Sequence, residues 1–552
     1  MERRQPGQRL ALEVAASWTR VLSCDAIASE LRRGTEVLQS VDPARPARHA
    51  SMEVVFDQSW RLLTEIERAA LARLSVFHGG FAPEAARTVA AASLPVLGAL
   101  ADKSLLRKAG ARLHMHPLVA QLAARRLPEG DGTQRAHAAY FLRLLAQSSR
   151  KAEHGDGATL GAIETDFENC RAAWRFAVAT EAVDFLVSAA PTVTSFLEHR
   201  GRLAEGAALF EEALSAPFVA LAPALRALLL GQLGQMHFRR DAYADGMEAG
   251  TQALEAAKQA RDPKLRGFAL QVLGLCSMRL ARNEDAKRFL EEGLRAATAA
   301  PDLRRMAAMM HNLALVAKLM GNREEALRLF LDSLAQARKM GDVGGEAMTL
   351  ANIGILYGER GDNASAIAQL RAGLAICEAN GIVATRALIV ANLAVATVKS
   401  RDFAAAEGYA NSAFELAHAT GNTYIACYMN MQFARIALAR GDLAGARGRL
   451  RDAMEVAVTL LRPAVVFEGF TCFAELLATS EAQDCARAVL AFVASHPLAN
   501  APIREEARRE REAWPAPARE LDWPGITLDE LANRIVNETN LAYAPLIASL
   551  RG

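Results

Sequence analysis

Eight times from residue 206 onward a small residue returns at an interval of 40 positions: Gly206, Gly246, Ala286, Ala326, Ala366, Ala406, Ala446 and Ala486. A large apolar residue keeps the same step ahead of it, at Leu233, Leu273, Leu313, Ile353, Leu393, Phe433 and Phe473. A fixed period of this size means stacked repeats, each burying its apolar face on the next, rather than one compact core. Stacks of this kind make long curved surfaces that bind other molecules.

The spacing inside one unit predicts what stacks. Asn312-Leu313-Ala314 is followed by Gly321-Asn322 and then by Ala326, Phe330 and Leu334. Apolar or small residues at steps of three and four, broken by Gly-Asn, describe a helix, a tight turn and a second helix. Gly suits the left-handed residue that ends a helix, and Asn or Asp after it can cap the next one. The turn recurs as Gly361-Asp362 and Gly441-Asp442, and weakens to Arg401-Asp402, Ala281-Arg282 and Asp241-Ala242. The small residue lets the second helix approach the first closely. This pattern resembles the tetratricopeptide repeat: Asn352-Ile353-Gly354, Tyr357, Gly361-Asp362, Ala366 and Leu370 match that family residue for residue. The family's common unit is about 34 residues; the longer unit here resembles the extended repeats of bacterial regulators. Eight helix pairs are expected over 183–496, preceded by linking helices over 131–182.

Composition fits an all-α stack rich in Ala and Leu: 51% of residues are hydrophobic and only 6% aromatic. The formal net charge of +2 gives no bulk signal for nucleic acid or an anionic membrane. The seven cysteines (Cys24, Cys170, Cys276, Cys377, Cys427, Cys472, Cys485) show no paired spacing and read as buried thiols in a reducing cytosol. Val21-Leu22-Ser23-Cys24 mimics a lipoprotein box, but Arg9, Glu13 and Arg20 interrupt any apolar leader. No apolar run approaches the ~20 residues of a membrane helix. The expected compartment is the cytoplasm.

The first 150 residues differ. Ser51 to Trp60, the amphipathic stretch Glu65 to Leu74, Pro83-Glu84-Ala85-Ala86 and Leu94 to Leu100 predict short helices. Asp102 to Arg107 and Arg112 to His116, around Ala109-Gly110-Ala111, predict a hairpin, and Pro117 to Leu127 a closing helix. Helices plus a small hairpin make a winged-helix pattern over 51–130. Val55-Phe56-Asp57-Gln58-Ser59-Trp60, Leu74 to Phe81, Leu100 to Leu106 and His114-Met115-His116-Pro117-Leu118 resemble the winged-helix domain of STAND-class signal-transduction ATPases. Asp166-Phe167-Glu168-Asn169-Cys170-Arg171-Ala172-Ala173-Trp174 resembles the helix that opens the repeats in the same regulators.

That resemblance marks His116 as the place of a histidine that reads the phosphates of bound ADP, with Pro117 where the family has Asp. It also makes 1–50 a remnant helical segment of an ATPase module. The sequence carries no GxxxxGK[ST] and no Gly-Lys pair, so no phosphate-cradling loop is present in it. His116 is therefore a vestigial sensor, and no cofactor is expected.

Lys103, Arg107, Lys108, Arg112, Arg125 and Arg126 gather basic charge near the hairpin, as a DNA-reading wing would. In the STAND family this module packs inside the switch, which argues against DNA. There is no HExxH, CxxC or GxSxG, His114 and His116 have no third metal ligand in view, and the pairs Glu211-Glu212, Glu291-Glu292 and Glu324-Glu325 read as solvated helix faces. No catalytic or metal residue is expected.

One constellation points to binding. At 40-residue steps the chain reads Gln232, Val272, Asn312, Asn352, Asn392 and Gln432. In tetratricopeptide repeats this position lies on the first helix and faces the concave groove, where carboxamides donate to and accept from a peptide backbone. A structural role, Asn bridging neighbouring helices, is the equal alternative. Three positions on, Leu315, Ile355 and Val395 make the middle of the groove apolar and Gln235 and Arg435 make its ends polar. Residues 497–552, with the mixed-charge run Arg504 to Glu512, read as capping helices. The functional expectation is a non-enzymatic scaffold in signal transduction or transcriptional regulation, taking a protein or peptide segment or a small effector in the groove. The alternatives are the sensor half of a split or truncated STAND ATPase and a DNA-binding regulator.

Overall fold

A computed structural model describes residues 52–153, 155–460, 463–479, 482–499, 501–515, 521, 525–538 and 544–551. The expected segment at 1–50 lies outside the described residues, as do Cys24, Pro517, Trp523 and Pro524. The described residues hold 27 helices and one two-stranded sheet. The chain divides into two compact units, 1–240 and 241–552.

In the first unit, α1 (Met52–Arg61), α2 (Glu65–Leu74), α3 (Pro83–Ala90) and α4 (Leu94–Asp102) precede β1 (Leu106–Ala109) and β2 (Arg112–Met115), and α5 (Pro117–Ala124) follows. Thr64 and Glu67 exchange side-chain and backbone hydrogen bonds in a capping box that starts α2. Pro83 and Pro117 occupy first turns, where the missing N–H is no loss. The strands pair antiparallel, Leu106 opposite Met115, around Gly110 at φ 60°. The strand expected from Asp102 starts only at Leu106, because Asp102 still belongs to α4 and Ser104 turns the chain at φ 61°. Val54 to Asp57 is helical, and Asp57 pairs with Arg126 at 2.6 Å.

Next come α6 (Thr133–Glu153), α7 (Gly157–Ala179), α8 (Val183–His199), α9 (Leu203–Leu214), α10 (Pro217–Ala220) and α11 (Pro223–Arg239). The fully buried Asn169 on α7 ties the hairpin region to these helices. Its Nδ2 donates to the Gly80 carbonyl at 2.9 Å and its Oδ1 accepts from the His78 backbone N–H at 2.7 Å. Arg112 on β2 reaches the same carbonyl and the Asp166 carboxylate. Two of the sequence stretches singled out above, 74–81 and 166–174, are thus the two sides of one polar junction.

The second unit alternates α12 (Tyr243–Ala260), α13 (Pro263–Arg279), α14 (Asn283–Ala299), α15 (Leu303–Leu319), α16 (Arg323–Met340), α17 (Val343–Glu359), α18 (Asn363–Asn380), α19 (Val383–Lys399), α20 (Phe403–Thr420), α21 (Thr423–Ala439), α22 (Leu443–Thr459), α23 (Pro463–Thr479) and α24 (Gln483–Ser495). Then follow α25 (Ala501–Ala513), α26 (Leu528–Asn537) and α27 (Ala544–Arg551). In sequence, eight helix–turn–helix pairs run from Val183 to Ser495. Among the described residues, the turns between paired helices in this unit that depart from Gly still take the left-handed conformation: φ is 58° at Ala281 and 60° at Arg401, against 85° at Gly321 and 84° at Gly361. Asp362, Asp402 and Asp442 then cap the second helix by accepting from the backbone N–H three residues on.

Ala326 and Ala366 are buried at 0% and 1% exposure. A Cβ at Gly354 on α17 would come within 3.1 Å of the Ala366 carbonyl and 2.7 Å of the Leu370 side chain, so these two helices pack nearly backbone to backbone. Each first helix lies against its own second helix and the one before it, and neighbouring first helices also touch: α17 with α19, α19 with α21, α21 with α23. Successive second helices make no comparable contact among the described residues. The layer of first helices is therefore the tighter, inner one. The fold is an all-α solenoid of helix pairs, preceded by a small winged-helix region with one hairpin.

Two measurements check this packing. Ala326→Leu and Ala366→Leu should each cost about 1–3 kcal/mol in equilibrium unfolding, because the added atoms enter a filled contact. Ala281→Gly and Arg401→Gly should each raise stability by about 1 kcal/mol, because they relieve a left-handed residue that carries a Cβ. Neutral leucine variants would mean that the small positions do not set the helix spacing.

Candidate binding groove

The first helices are buried on three sides, and what remains partly exposed along their middles is one stripe. On α17 it runs Met348, Asn352, Ile355; on α19 Leu388, Asn392, Val395; and on α15 Ala308 and Leu315 flank Asn312. Steps of four and three place these side chains one above another on a single helix face. The residues between them on α17 and α19 are buried. On α21 and α23 the same positions become Tyr428 and Arg435, then Glu468 and Glu475. The inner face changes from apolar to charged along the stack.

The carboxamide row divides. Asn352 donates from Nδ2 to the Met348 carbonyl in its own helix and to His311 Nε2 on α15, both at 3.2 Å. Asn392 donates only along its own helix, to the Leu388 carbonyl at 2.8 Å. Asn312 is 8% exposed and Gln432 fully buried, and the amide of neither meets a partner among the described residues. Gln232 is buried in the first unit, where Gln235 bonds to Glu198 at 2.7 Å. So Asn352 bridges neighbouring helices while the Oδ1 atoms of Asn352 and Asn392 stay without a protein donor among the described residues. The bridge could not be read from the sequence, since 41 residues separate its partners.

His311 shares in that bridge. Its Nε2 accepts from Asn352, which leaves Nδ1 to carry the proton and face the Thr349 hydroxyl at 3.2 Å. Phe330 stands edge-on to the ring. Burial pushes this imidazole down to about 4. In the first unit, His137 lies between Phe77 and Phe141 beside Asn169, and burial likewise lowers it to about 4.

His116 caps α5, its Nδ1 accepting from the Leu118 N–H at 3.3 Å, and burial lowers its pKa. Among the basic residues near the hairpin, Lys103 pairs with Glu67 at 2.6 Å, Arg112 with Asp166 at 2.5 Å and Arg126 with Asp57, while Arg107 and Lys108 are exposed. The six described cysteines are all buried, and none of them forms a disulfide. Among the described residues no three His, Cys, Asp or Glu side chains converge as a metal site, and no helix is long and apolar enough to cross a membrane. Glu212 and Glu292 are held by Arg175 and Arg266.

Residues 305–379 match the sequence profile of the tetratricopeptide repeat. The repeats over 305–379 are tetratricopeptide repeats. The chain also superposes on the crystal structure of a Signal Transduction ATPase with Numerous Domains, a STAND protein with a tetratricopeptide repeat sensor from Pyrococcus horikoshii. The TM-score is 0.58 at 15% identity, over 92% of this chain and 72% of that one. Proteins of Mycobacterium tuberculosis and Mycobacterium bovis that carry the name HTH-type transcriptional regulator are 29% identical over 225 residues. That match covers 38% of this chain, which spans only 26% of the relatives' length.

Protonation supplies a test of the bridge. His311 is neutral in the fold and charged once unfolded below pH 6.5, so the native state binds fewer protons there. Its contribution is complete above pH 6.5 and is lost as pH falls towards 4. Chemical denaturation should lose stability between pH 7 and 5, and His311→Gln should reduce that loss by about 1–2 kcal/mol. Asn352→Ala should destabilise by about 1–2 kcal/mol at pH 7, because it strands the imidazole nitrogen. A pH slope unchanged in His311→Gln would contradict the assignment.

Proposed function

We propose that this protein is a non-enzymatic binding scaffold whose inner face on α15, α17 and α19 takes an extended protein segment with apolar side chains. The observation that carries the proposal is the stripe Leu315, Met348, Ile355, Leu388 and Val395, left partly exposed on helices otherwise buried, beside asparagines whose carbonyl oxygens lack protein donors. Apolar side chains of a segment fill such a strip, while its backbone N–H groups meet Asn Oδ1. The hydrogen bonds fix register and the apolar contacts supply most of the affinity. The setting is signal transduction or transcriptional control, in keeping with the STAND-like layout and with the name carried by the mycobacterial relatives.

Asn312, Asn392 and Asn352 have different parts in this reading. Asn392 makes no bond to another helix and stays partly exposed, so it is free to serve a ligand; Asn312 is buried, and Asn352 serves the stack and offers its remaining oxygen. Three of the six basic groups near the hairpin, Lys103, Arg112 and Arg126, are committed to carboxylates, which favours the groove over DNA.

The test is a peptide selection on the immobilised protein, followed by affinities on variants. Selected peptides should carry spaced apolar residues. Ile355→Asp should weaken them at least about thirtyfold, more than the roughly 0.5–1.5 kcal/mol expected for Asn392→Ala, with melting temperature nearly unchanged for the asparagine variant. Peptides that bind Ile355→Asp as well as the wild type would place their site elsewhere.

A further inference from the structure

The charged end of the inner face is already occupied, and its occupant is α25. This helix packs on α24 through Ile503 and Ala507, both buried. One of its side chains reaches back to an earlier first helix. Glu506 forms an ion pair with Lys399 at the end of α19, 107 residues earlier and two repeats away. Glu506 and Glu510 lie within electrostatic reach of Arg435 on α21, which itself holds Glu475 of α23 through Nε at 2.9 and 3.1 Å and lies 3.8 Å from Glu468. A helix that merely continued the stack would touch the last pair. This one packs on that last pair, α23 and α24, and reaches beyond it through the Glu506 side chain, which pairs with Lys399 on α19.

The contact is poorly suited to permanence. Eight of the 13 residues of α25 are charged. Four carboxylates (Glu468, Glu475, Glu506 and Glu510) gather around two cations, Lys399 and Arg435, with the exposed Arg509 at the edge. Glu510 Oε2 is buried without a hydrogen-bond partner, and burial beside Glu475 raises this carboxyl to about 8. Removing carboxylates from water is expensive unless each is paired, and here they outnumber their partners. With only Ile503 and Ala507 buried among its described residues and its carboxylates short of partners, such a helix is among the segments that open first, its end held by Arg487 through the Arg511 and Trp514 carbonyls.

We propose that α25 is a displaceable occupant of the inner face, and that the surface beneath it, built on Lys399 and Arg435, takes an acidic helical segment with glutamates four residues apart. Alpha25 is itself the example of that ligand, with Glu506 and Glu510 one turn apart. An incoming acidic helix replaces it on the same two cations, and the inner face becomes continuous from the apolar stripe to the charged end. The proposal rests on the inner face being a binding surface, and it concerns a different stretch and a different chemistry from the apolar stripe.

Hydrogen exchange of the full-length protein tests the displacement without any ligand. In Glu506→Lys the amides of 501–513 should exchange at least about tenfold faster than in the wild type, while those of 463–479 and 483–495 keep their protection. The charge swap Lys399→Glu with Glu506→Lys should restore the wild-type pattern. A fluorescein-labelled peptide of residues 499–515 should bind Glu506→Lys at least about tenfold more tightly than the wild type. Changing both its glutamates, 506 and 510, to glutamine should reverse that gain. Amides of α25 as well protected as those of α24 in the wild type and in Glu506→Lys would overturn the proposal. So would equal binding of the peptide to both proteins. A failed selection of apolar peptides with this exchange result intact would remove only the apolar-stripe reading; a locked α25 with a successful selection would remove only this one.

Discussion

The structure depends on how closely the two helices of a pair can approach. A residue no larger than alanine at every fortieth position brings the second helix onto the first until, at Gly354 and Ala366, backbone nearly meets backbone. That approach lets each first helix be enclosed by two second helices and by the neighbouring first helices, leaving one stripe uncovered. The stripe is what the protein offers to other molecules, and its position follows from the packing. A larger side chain at the small position would spread the pair and blur the boundary between buried and offered residues.

The polar groups of the inner face have been given two uses. Near α15 and α17, Asn352 and His311 close a bridge between neighbouring helices, and burial keeps the imidazole neutral so that its nitrogen can accept. Farther along, Arg435 and Lys399 are met by carboxylates from within the stack and from α25. Between these regions the face is apolar. One surface therefore carries a structural bridge, an apolar strip and a charged end covered by the chain's own helix, and each part implies a different partner chemistry.

Much of this was legible in the sequence, for identifiable reasons. The repeat was legible because stacking imposes the same small residue and the same turn on every copy, and the turns hold the left-handed conformation even where Arg401 or Ala281 replaces Gly. The inner row at 312, 352 and 392 was legible as a position but not as a role. Asn352 and Asn392 look alike in sequence, yet only Asn352 meets a histidine on the neighbouring helix. The ion pair of Glu506 on α25 with Lys399 was not legible at all. The run Arg504 to Glu512 reads as a solvated cap, and nothing local to it points to Lys399. Motifs at 74–81 and 166–174 were visible as resemblances, and their physical reason emerged only with Asn169 buried between them.

The central claim is that ligands dock on the inner layer of first helices. Photocrosslinking tests it most directly. A benzophenone amino acid is placed at Ile355, on the inner stripe, or at Leu331, which is 49% exposed on the second helix α16. Each protein is irradiated with peptides selected on the unmodified chain, and the adducts are mapped by mass spectrometry. The account predicts adducts from position 355 and essentially none from position 331. Adducts from 331 alone, or equally from both, would contradict it.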